Sequence, residues 1–279
     1  KELFSNYGIK IHFAHQTFNW SNEAKSNAAV HVVIIGFAQF DSTNKRIFEY
    51  ENIKSNAHEK SAKNINAYLV EGDDIVIEKR RKPLCNVLNI IKGNYYAKSE
   101  GLIIEEKDLD YLVKNEPNAK KWIKLLIGAD EFINNRKRYC LWLVDCPPDE
   151  LRKMPLVMER VNRVREDRLK STDKGMQNLA PIRFRETNNP DKCIVIPVVS
   201  SEKRPYIPIG FIDKNTISTN GNLIIPNGDL FLFGQLTSLM QMSWVKYTCG
   251  RLESRFRYSK DIVYNNYPFP KNVSEKQKK

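Results

Sequence analysis

The sequence lacks several features that would assign the chain to a membrane, metal-binding or nucleotide-binding class. No apolar run approaches the roughly 20 residues that a helix needs to span a bilayer. The four histidines are dispersed, and no two of the five cysteines form a Cys-x-x-Cys pair, so no metal site is predicted. Neither a Gly-x-x-x-x-Gly-Lys-Ser/Thr phosphate loop nor a Gly-x-Gly-x-x-Gly fingerprint occurs.

The cysteines and the first residues bear on the compartment. An odd number of scattered cysteines is typical of reduced, mostly buried thiols, not of a disulfide framework. The first residues carry no basic start, apolar stretch or cleavage site of a signal peptide. We therefore expect a cytoplasmic protein. The cysteines are Cys85, Cys140, Cys146, Cys193 and Cys249.

The charge balance favours an acidic partner. The 279 residues include 45 Lys and Arg against 33 Asp and Glu, for a net charge of +12. Such a balance favours nucleic acid first and an anionic membrane surface second. A hydrophobic content of 41% is that of a folded globular protein, and the length allows one large or two ordinary domains.

The most informative segment is residues 249–261, Cys-Gly-Arg-Leu-Glu-Ser-Arg-Phe-Arg-Tyr-Ser-Lys-Asp. If it is extended, side chains alternate, so Glu253, Arg255 and Arg257 project from one side. An arginine offers a fork of donors to guanine, and a glutamate accepts from the cytosine amino group. These three residues are therefore predicted to contact DNA bases. The alternative is a solvated basic turn whose carboxylate pairs with its neighbours.

A long apolar helix is predicted immediately before this segment. It spans residues 230–247, with Asp229 as its N-cap and Gly250 just beyond its end. A rigid helix of this kind would aim the charged segment. The recurrence every three or four residues predicts one core stripe, formed by Phe233, Leu236, Met240, Trp244 and Tyr247.

A second polar segment, Ser200-Ser-Glu-Lys-Arg-Pro205, lies between predicted strands over residues 193–199 and 206–212. Hydroxyls, amides and cations at a turn are suited to holding phosphates, which positions a protein without specifying sequence. A plain surface turn is the alternative. The predicted phosphate-contacting residues are Ser200, Ser201, Lys203, Arg204, Arg251 and Lys260.

The remaining pattern predicts the organisation of the chain. Two apolar strands, over residues 9–15 and 28–37, belong in the middle of a larger α/β sheet. Because little precedes them and the chain opens without Met, we expect Lys1 to be an internal position of a longer protein. Further predictions are helices over residues 105–112, 118–127 and 149–169, the last with Arg160, Arg163, Arg165 and Arg168 on a solvated face.

No catalytic residue is predicted. Asp145-Cys-Pro-Pro148 differs from the Asn/Asp-Pro-Pro-aromatic loop of methyltransferases, since the acid is displaced and no aromatic residue follows. Asp73 or Asp74 with Glu78 and Lys79 resembles a metal-dependent nuclease motif, but its spacing departs from that motif. Two alternatives to DNA recognition remain: an enzyme that methylates or cleaves DNA through such carboxylates, and an interaction module for a separate protein subunit.

Several longer motifs resemble one family. These are Phe18-Asn-Trp20, Asn22-Glu-Ala24, and residues 126–133, 138–144, 199–211, 249–252 and 257–266. Together they resemble the C-terminal half of type IIG restriction-modification enzymes and their methyltransferase-only relatives, which are N6-adenine DNA methyltransferases that use S-adenosylmethionine.

The resemblance implies a domain plan and a fold. Residues 1–40 would be the last strands of an α/β methyltransferase domain. The polar composition of residues 41–63 predicts a linker, and the polar, cationic composition of residues 271–279 predicts a disordered tail. Residues 64–270 would be a target recognition domain of α+β class, with helices packed on a mixed or antiparallel sheet.

The resemblance also implies a division of labour. The positions after the Cys-Gly-Arg motif, here Glu253, Arg255 and Arg257, would contact base pairs of double-stranded DNA. Residues 219–222 occupy a second variable position. S-adenosylmethionine and the methyl-transfer loop belong to the upstream methyltransferase domain of the parent protein. The present chain is therefore expected to bind no cofactor and to catalyse nothing by itself.

Overall fold

The structure, a computed structural model, describes residues 2–20, 30–271, 273, 274 and 276, which form two compact units, Lys1–Lys79 and Arg80–Lys279. The motif Asn22-Glu-Ala24 and much of the predicted tail over residues 271–279 lie outside the described residues. In the described part of the chain, no helix is both long enough and apolar enough to cross a membrane.

The first unit is a helix followed by a four-stranded mixed sheet of order β2-β1-β3-β4. The central pair β1 and β3 is parallel, and the two outer pairs are antiparallel. Ile11, Ala14 and Ile47 form the buried core of this unit. The elements are α1 (Glu2–Tyr7), β1 (Lys10–Trp20), β2 (Val30–Ala38), β3 (Lys45–Glu49) and β4 (His58–Ala62).

Strand β2 leaves apolar side chains uncovered. Its neighbours Ile34 and Ile35 point to opposite faces of the sheet, and both are exposed. Val33 and Phe37 of the same strand are also exposed. A strand that is apolar on both faces is typical of the interior of a larger α/β sheet, as the sequence predicts.

The prediction of a linker over residues 41–63 is corrected by the structure, because this segment contains β3 and β4. Strand β3 pairs with β1 and buries Ile47, whereas β4 lies at the sheet edge with its first four side chains exposed. Polar edge strands are common because they discourage pairing with other chains. The polar composition therefore concealed a strand.

The second unit contains three sheets with packed helices, which confirms the α+β class. The sheet orders are β12-β7-β8-β6, β11-β9-β13-β5 and β10-β15-β14; β12 and β7 are parallel, and the other pairs are antiparallel. Its strands are β5 (Ile91–Lys92), β6 (Ile103–Glu105), β7 (Ile123–Ile127), β8 (Arg138–Leu141), β9 (Lys192–Pro197), β10 (Val199–Ser200), β11 (Gly210–Asp213), β12 (Thr216–Ser218), β13 (Asn222–Pro226), β14 (Gly250–Leu252) and β15 (Arg255–Arg257).

The helices of the second unit lie on both larger sheets. Short 3-10 helices occur at Glu100–Leu102 and Pro117–Trp122, and a π-helix occurs at Lys260–Tyr264. The α-helices are α2 (Glu106–Asn115), α3 (Ala129–Asn134), α4 (Pro148–Leu151), α5 (Pro155–Leu169), α6 (Lys174–Gln177), α7 (Leu230–Leu236) and α8 (Leu239–Thr248).

Two helix predictions in the first half of this unit are wrong in detail. Residues 118–127 form the end of a 3-10 helix and then β7, because an apolar run this short fits either period. The helix predicted over residues 149–169 is divided into α4 and α5. The buried Glu116 carboxylate accepts hydrogen bonds from the Leu156 and Val157 amides and so begins α5 afresh.

Arg168 is buried, contrary to the solvated helix face predicted for it. Its guanidinium donates to the Lys98, Leu179, Ala180 and Arg183 carbonyl oxygens and to the Ser99 hydroxyl. Oxygen acceptors thus replace water around the charge, which makes its burial tolerable. The residue fastens α5 to the irregular chain that follows it.

The single apolar helix predicted over residues 230–247 is two helices. Asp229 caps α7 as predicted, but Ser238 begins α8 by accepting from the Gln241 amide. The break shifts the helical phase, so the predicted core stripe does not stay on one face. Met240 and Tyr247 are 67% and 55% exposed, whereas Met242 and Val245 are buried.

Candidate nucleic-acid interface

The two segments predicted separately to contact DNA lie side by side. Strands β14 and β15 form a hairpin, and β15 also pairs with β10, which begins the Ser200–Pro205 segment. In this register Arg257 lies between Val199 and Gly250, and Phe256 lies between Ser200 and Arg251. One small antiparallel sheet therefore joins the predicted base-contacting and phosphate-contacting segments.

The hairpin presents its arginines to solvent because its other face is packed. Phe256 is buried in a core cluster together with Cys249 and Tyr258. Alternation along β15 then places Arg255 and Arg257 on the opposite face, where both are exposed. Within the described residues, the Arg257 guanidinium has neither an ion pair nor a hydrogen bond.

Glu253 does not lie in the extended row that the sequence predicts. It occupies the two-residue turn of the hairpin, with φ of 57° in the left-handed region. Its carboxylate accepts from Arg255 Nη2 at 2.9 Å, with the two side chains 71% and 44% exposed. The intramolecular pair weighed from the sequence is therefore present. An exposed pair of this kind contributes only about 0–1 kcal/mol, so a ligand can replace it at little cost.

The turn after β10 carries two further cations. The Ser201 hydroxyl accepts from the Lys203 amide, and the Ser201 carbonyl accepts from the Arg204 amide, so the turn is tight. The Lys203 and Arg204 side chains are exposed, and in the described part of the chain no carboxylate pairs with either. Ser200 differs from its neighbour: the residue is 3% exposed and its hydroxyl oxygen is buried, so the hydroxyl cannot reach a phosphate outside the protein.

The other two predicted phosphate contacts are engaged within the chain. Arg251 Nη1 donates to the Ser254 carbonyl and Nη2 to the Lys246 carbonyl, both at 3.2 Å. Lys260 Nζ lies 2.8 Å from Asp261 Oδ1 at the start of the π-helix.

The base of the hairpin is anchored on the core of the second unit. The Tyr258 amide donates to the Val198 carbonyl at 2.7 Å, and Gln241 of α8 donates to the Tyr258 hydroxyl at 3.1 Å. Burial raises the pKa of Tyr258, which keeps the hydroxyl protonated at physiological pH. Trp244 Nε1 donates to the Val263 carbonyl at 2.9 Å and joins α8 to the π-helix.

The second variable segment, residues 219–222, exposes little. Thr219 and Asn222 are buried, and Asn222 Nδ2 donates to the Ile127 carbonyl and the Ser218 hydroxyl. Asn220 is the exposed side chain of this segment. Any side-chain contact with a ligand from here would therefore come from Asn220.

Asp74, one of the carboxylates considered for nuclease chemistry, has structural partners. Asp74 accepts from Asn64 at 2.9 Å and pairs with Lys10 at 3.1 Å. The hydrogen bond from Asn64 holds the pKa of Asp74 below its ordinary value, and Lys10 acts in the same direction. Across residues 2–20, 30–271, 273, 274 and 276, no three His, Cys, Asp or Glu side chains converge as a metal-ligand set.

Comparison with known families assigns the two parts of the chain to the end of a DNA-methyltransferase domain and to a target recognition domain. The chain belongs to the MmeI target recognition domain family, whose model matches residues 71–271. The model of the MmeI DNA-methyltransferase domain matches residues 1–49. These matches confirm the resemblance inferred from the sequence motifs.

Two relatives extend the comparison. DNA methyltransferase A of Bacillus subtilis (strain 168) is 39% identical over 273 residues, which are 96% of this chain and 30% of that protein. The solved structure of the type IIL restriction-modification enzyme MmeI in complex with DNA is 43% identical, with a TM-score of 0.88. That match covers 97% of this chain and 36% of the MmeI chain. The chain thus spans about a third of the length of these relatives.

Proposed function

We propose that residues 64–270 recognise a specific sequence of double-stranded DNA for a restriction-modification methyltransferase. The observation that carries this proposal is the three-stranded sheet β10-β15-β14, which displays Arg255 and Arg257 beside the cationic turn of Lys203 and Arg204. Base-contacting and phosphate-contacting groups on one rigid surface are what sequence-specific binding requires.

The residues have distinct roles in this proposal. Arg255 and Arg257 donate to base edges, and Glu253, released from Arg255, accepts from a base amino group. Lys203, Arg204 and the Ser201 hydroxyl hold phosphates. Ser200, Arg251 and Lys260, also predicted from the sequence to contact phosphates, receive no such role here. The Ser200 side chain is buried, and the other two are bonded within the chain.

The catalytic work is assigned to the parent protein. Strands β1 to β3, within residues 1–49, would belong to the sheet of an upstream methyltransferase domain, and the uncovered apolar side chains of β2 support this. S-adenosylmethionine, adenine N6 methylation and the type IIG organisation would belong to that longer protein. A cytoplasmic location fits the five free cysteines.

Selection from a random duplex library tests the proposal directly. The chain should enrich one short motif, and its affinity for that motif should fall with rising salt. If the chain binds DNA in a salt-dependent way but enriches no motif, it is a non-specific DNA binder. Absence of DNA binding would favour an interaction module instead.

The phosphate turn has its own test. Replacing Lys203 and Arg204 together by Gln should weaken binding to all duplexes alike and reduce the salt slope by about 1.8, since each phosphate contact contributes about 0.9. Replacing Lys114 and Lys120 by Gln is the matched control, because it removes the same charge from exposed positions elsewhere in the second unit. Equal salt slopes for the two double variants would contradict the assignment.

A further inference from the structure

Arg251 contacts three parts of the interface at once. It lies on β14 directly across from Phe256 of β15, and its guanidinium carbon is 4.1 Å from the centroid of the Phe256 ring. One terminal nitrogen donates to the Ser254 carbonyl in the hairpin turn. The other donates to the Lys246 carbonyl in the last turn of α8. A single planar group thus joins helix, turn and strand.

An arginine is suited to this position in a way that a lysine is not. The last carbonyls of a helix lack intrahelical partners, and a cation there also interacts favourably with the helix dipole. A guanidinium can stack on an aromatic ring while its edge donates in two directions, whereas an ammonium is a compact point charge. Lysine would keep the charge of Arg251 but lose the three-way contact.

The hairpin needs such an anchor. Its strands are three residues each, and its turn places Glu253 in a left-handed conformation that a glycine or asparagine would adopt more readily. Strand β10 pairs only with Phe256 and Arg257 of the hairpin, so Arg255 and the turn lie in a part that is two-stranded. A short two-stranded hairpin is marginally stable by itself. The direction in which Arg255 and Arg257 point therefore depends on what fastens the turn to the body of the unit.

We propose that Arg251 is a positioning residue that fastens the hairpin to α8, so that Arg255 and Arg257 meet a base pair in register. This inference rests on the proposed DNA recognition and assigns Arg251 no phosphate. Each terminal nitrogen already donates one hydrogen bond to a backbone carbonyl, and one face of the guanidinium covers the Phe256 ring.

The substitution Arg251→Lys separates the two roles because it conserves the charge. A phosphate contact would survive it, with nearly unchanged affinity and salt slope. A positioning role predicts a loss of about tenfold in preference for the selected motif over single base-pair variants, within the range for one good base contact. Affinity for random DNA should stay the same. Arg163→Lys on α5, where the arginine pairs with Glu159, is the matched control.

Hydrogen exchange of the free chain gives a readout that needs no DNA. The amides of residues 250–257 should exchange several-fold faster in Arg251→Lys, and the core amides of β9 should not change. Phe256→Leu keeps an apolar side chain but removes the ring on which Arg251 stacks. The same amides should therefore exchange faster in this variant, although Arg251 is present.

The outcomes distinguish this inference from the proposed function. Retained motif preference and unchanged exchange in Arg251→Lys would overturn the positioning role and leave DNA recognition standing. If the wild-type chain shows no sequence preference, the proposed DNA recognition is wrong, and so is the positioning role of Arg251 that rests on it. Lost preference together with faster exchange supports both.

Discussion

Removal of the Glu253 carboxylate distinguishes a base contact from an ion pair, because the two roles predict opposite effects on affinity. The Glu253–Arg255 pair is 2.9 Å long and largely exposed, so it contributes about 0–1 kcal/mol to the free chain. If pairing is its only role, Glu253→Ala frees Arg255 and removes one negative charge, so the net charge rises by one. Affinity for every duplex should then rise by less than about fivefold, with the sequence preference unchanged.

A base contact predicts the reverse for the selected motif. One good contact contributes about 1–3 kcal/mol of discrimination, which corresponds to a factor of about 5–150. Glu253→Ala should therefore weaken binding to the motif by that factor and relax the preference at one base pair. Both alanine and glutamate carry a Cβ, so the left-handed turn conformation is equally strained in the two chains.

Fluorescence anisotropy with the motif and with each single base-pair variant measures both quantities. Glu159→Ala is the matched control, since Glu159 is likewise half of an exposed pair with an arginine, on α5. Uniformly tighter binding by Glu253→Ala, with the ranking of duplexes preserved, would refute the base-contacting role of Glu253.

Three further predictions concern the scaffold. Arg168→Met leaves the Lys98, Leu179 and Arg183 carbonyls and the Ser99 hydroxyl without their buried donor, whereas the Ala180 carbonyl keeps the Arg183 amide. At about 1–3 kcal/mol for each of the four orphaned groups, urea unfolding should show a loss of at least about 4 kcal/mol, and a loss below about 1.5 kcal/mol would contradict the bonding described. Burial raises the pKa of Cys140 to about 12 and the pKa of Cys249 to about 11. Neither thiol should therefore react with a maleimide at pH 8 until denaturant is added. Labelling of either thiol in the native chain would contradict this prediction. The folded-state pKa of Asp74 is lowered, so its contribution to stability is present above its ordinary value of 3.8 and is lost as pH falls through the lowered pKa. Asp74→Asn should therefore lose less stability than the wild type between pH 7 and pH 3 in urea titrations, and equal losses would contradict the pairing with Asn64.

The sequence was sufficient for features that depend on local chemistry. Asp229 caps a helix as predicted. Its carboxylate accepts from the Leu232 amide, which is the interaction that favours aspartate just before a helix. Val157, Val161 and Val164 of α5 are buried and recur every three or four residues, so helical spacing is enough to indicate which face α5 buries. The long motifs around residues 199–211 and 249–266 were distinctive enough to identify the family.

Features that depend on tertiary pairing were not predictable in the same way. The break at Ser238 is decided by a capping bond that competes with helix continuation, and the apolar spacing on either side gives no sign of it. The hairpin turn at Glu253 was missed because neither Glu253 nor Ser254 is a favoured residue for a left-handed turn position. The left-handed conformation of Glu253 is disfavoured by its residue type. It occurs beside contacts from outside the turn, including the hydrogen bond from Arg251 to the Ser254 carbonyl.

The convergence of the two candidate segments could be predicted only by analogy. Nothing in the residues around Lys203 indicates that β10 pairs with β15, since their separation in sequence is more than fifty residues. Burial of Ser200 follows from the same pairing, because it places this serine in line with Phe256. Residue type alone could not separate Ser200 from Ser201.

The central claim is that the exposed face of β15 meets base edges, and the direct measurement is a substitution profile for Arg255→Ala beside Arg257→Ala. Each variant should lose about 1–3 kcal/mol on the selected motif and become indifferent at one base pair, with different base pairs affected by the two changes. Profiles that keep the wild-type preference at every position, with only a uniform loss of affinity, would contradict the account.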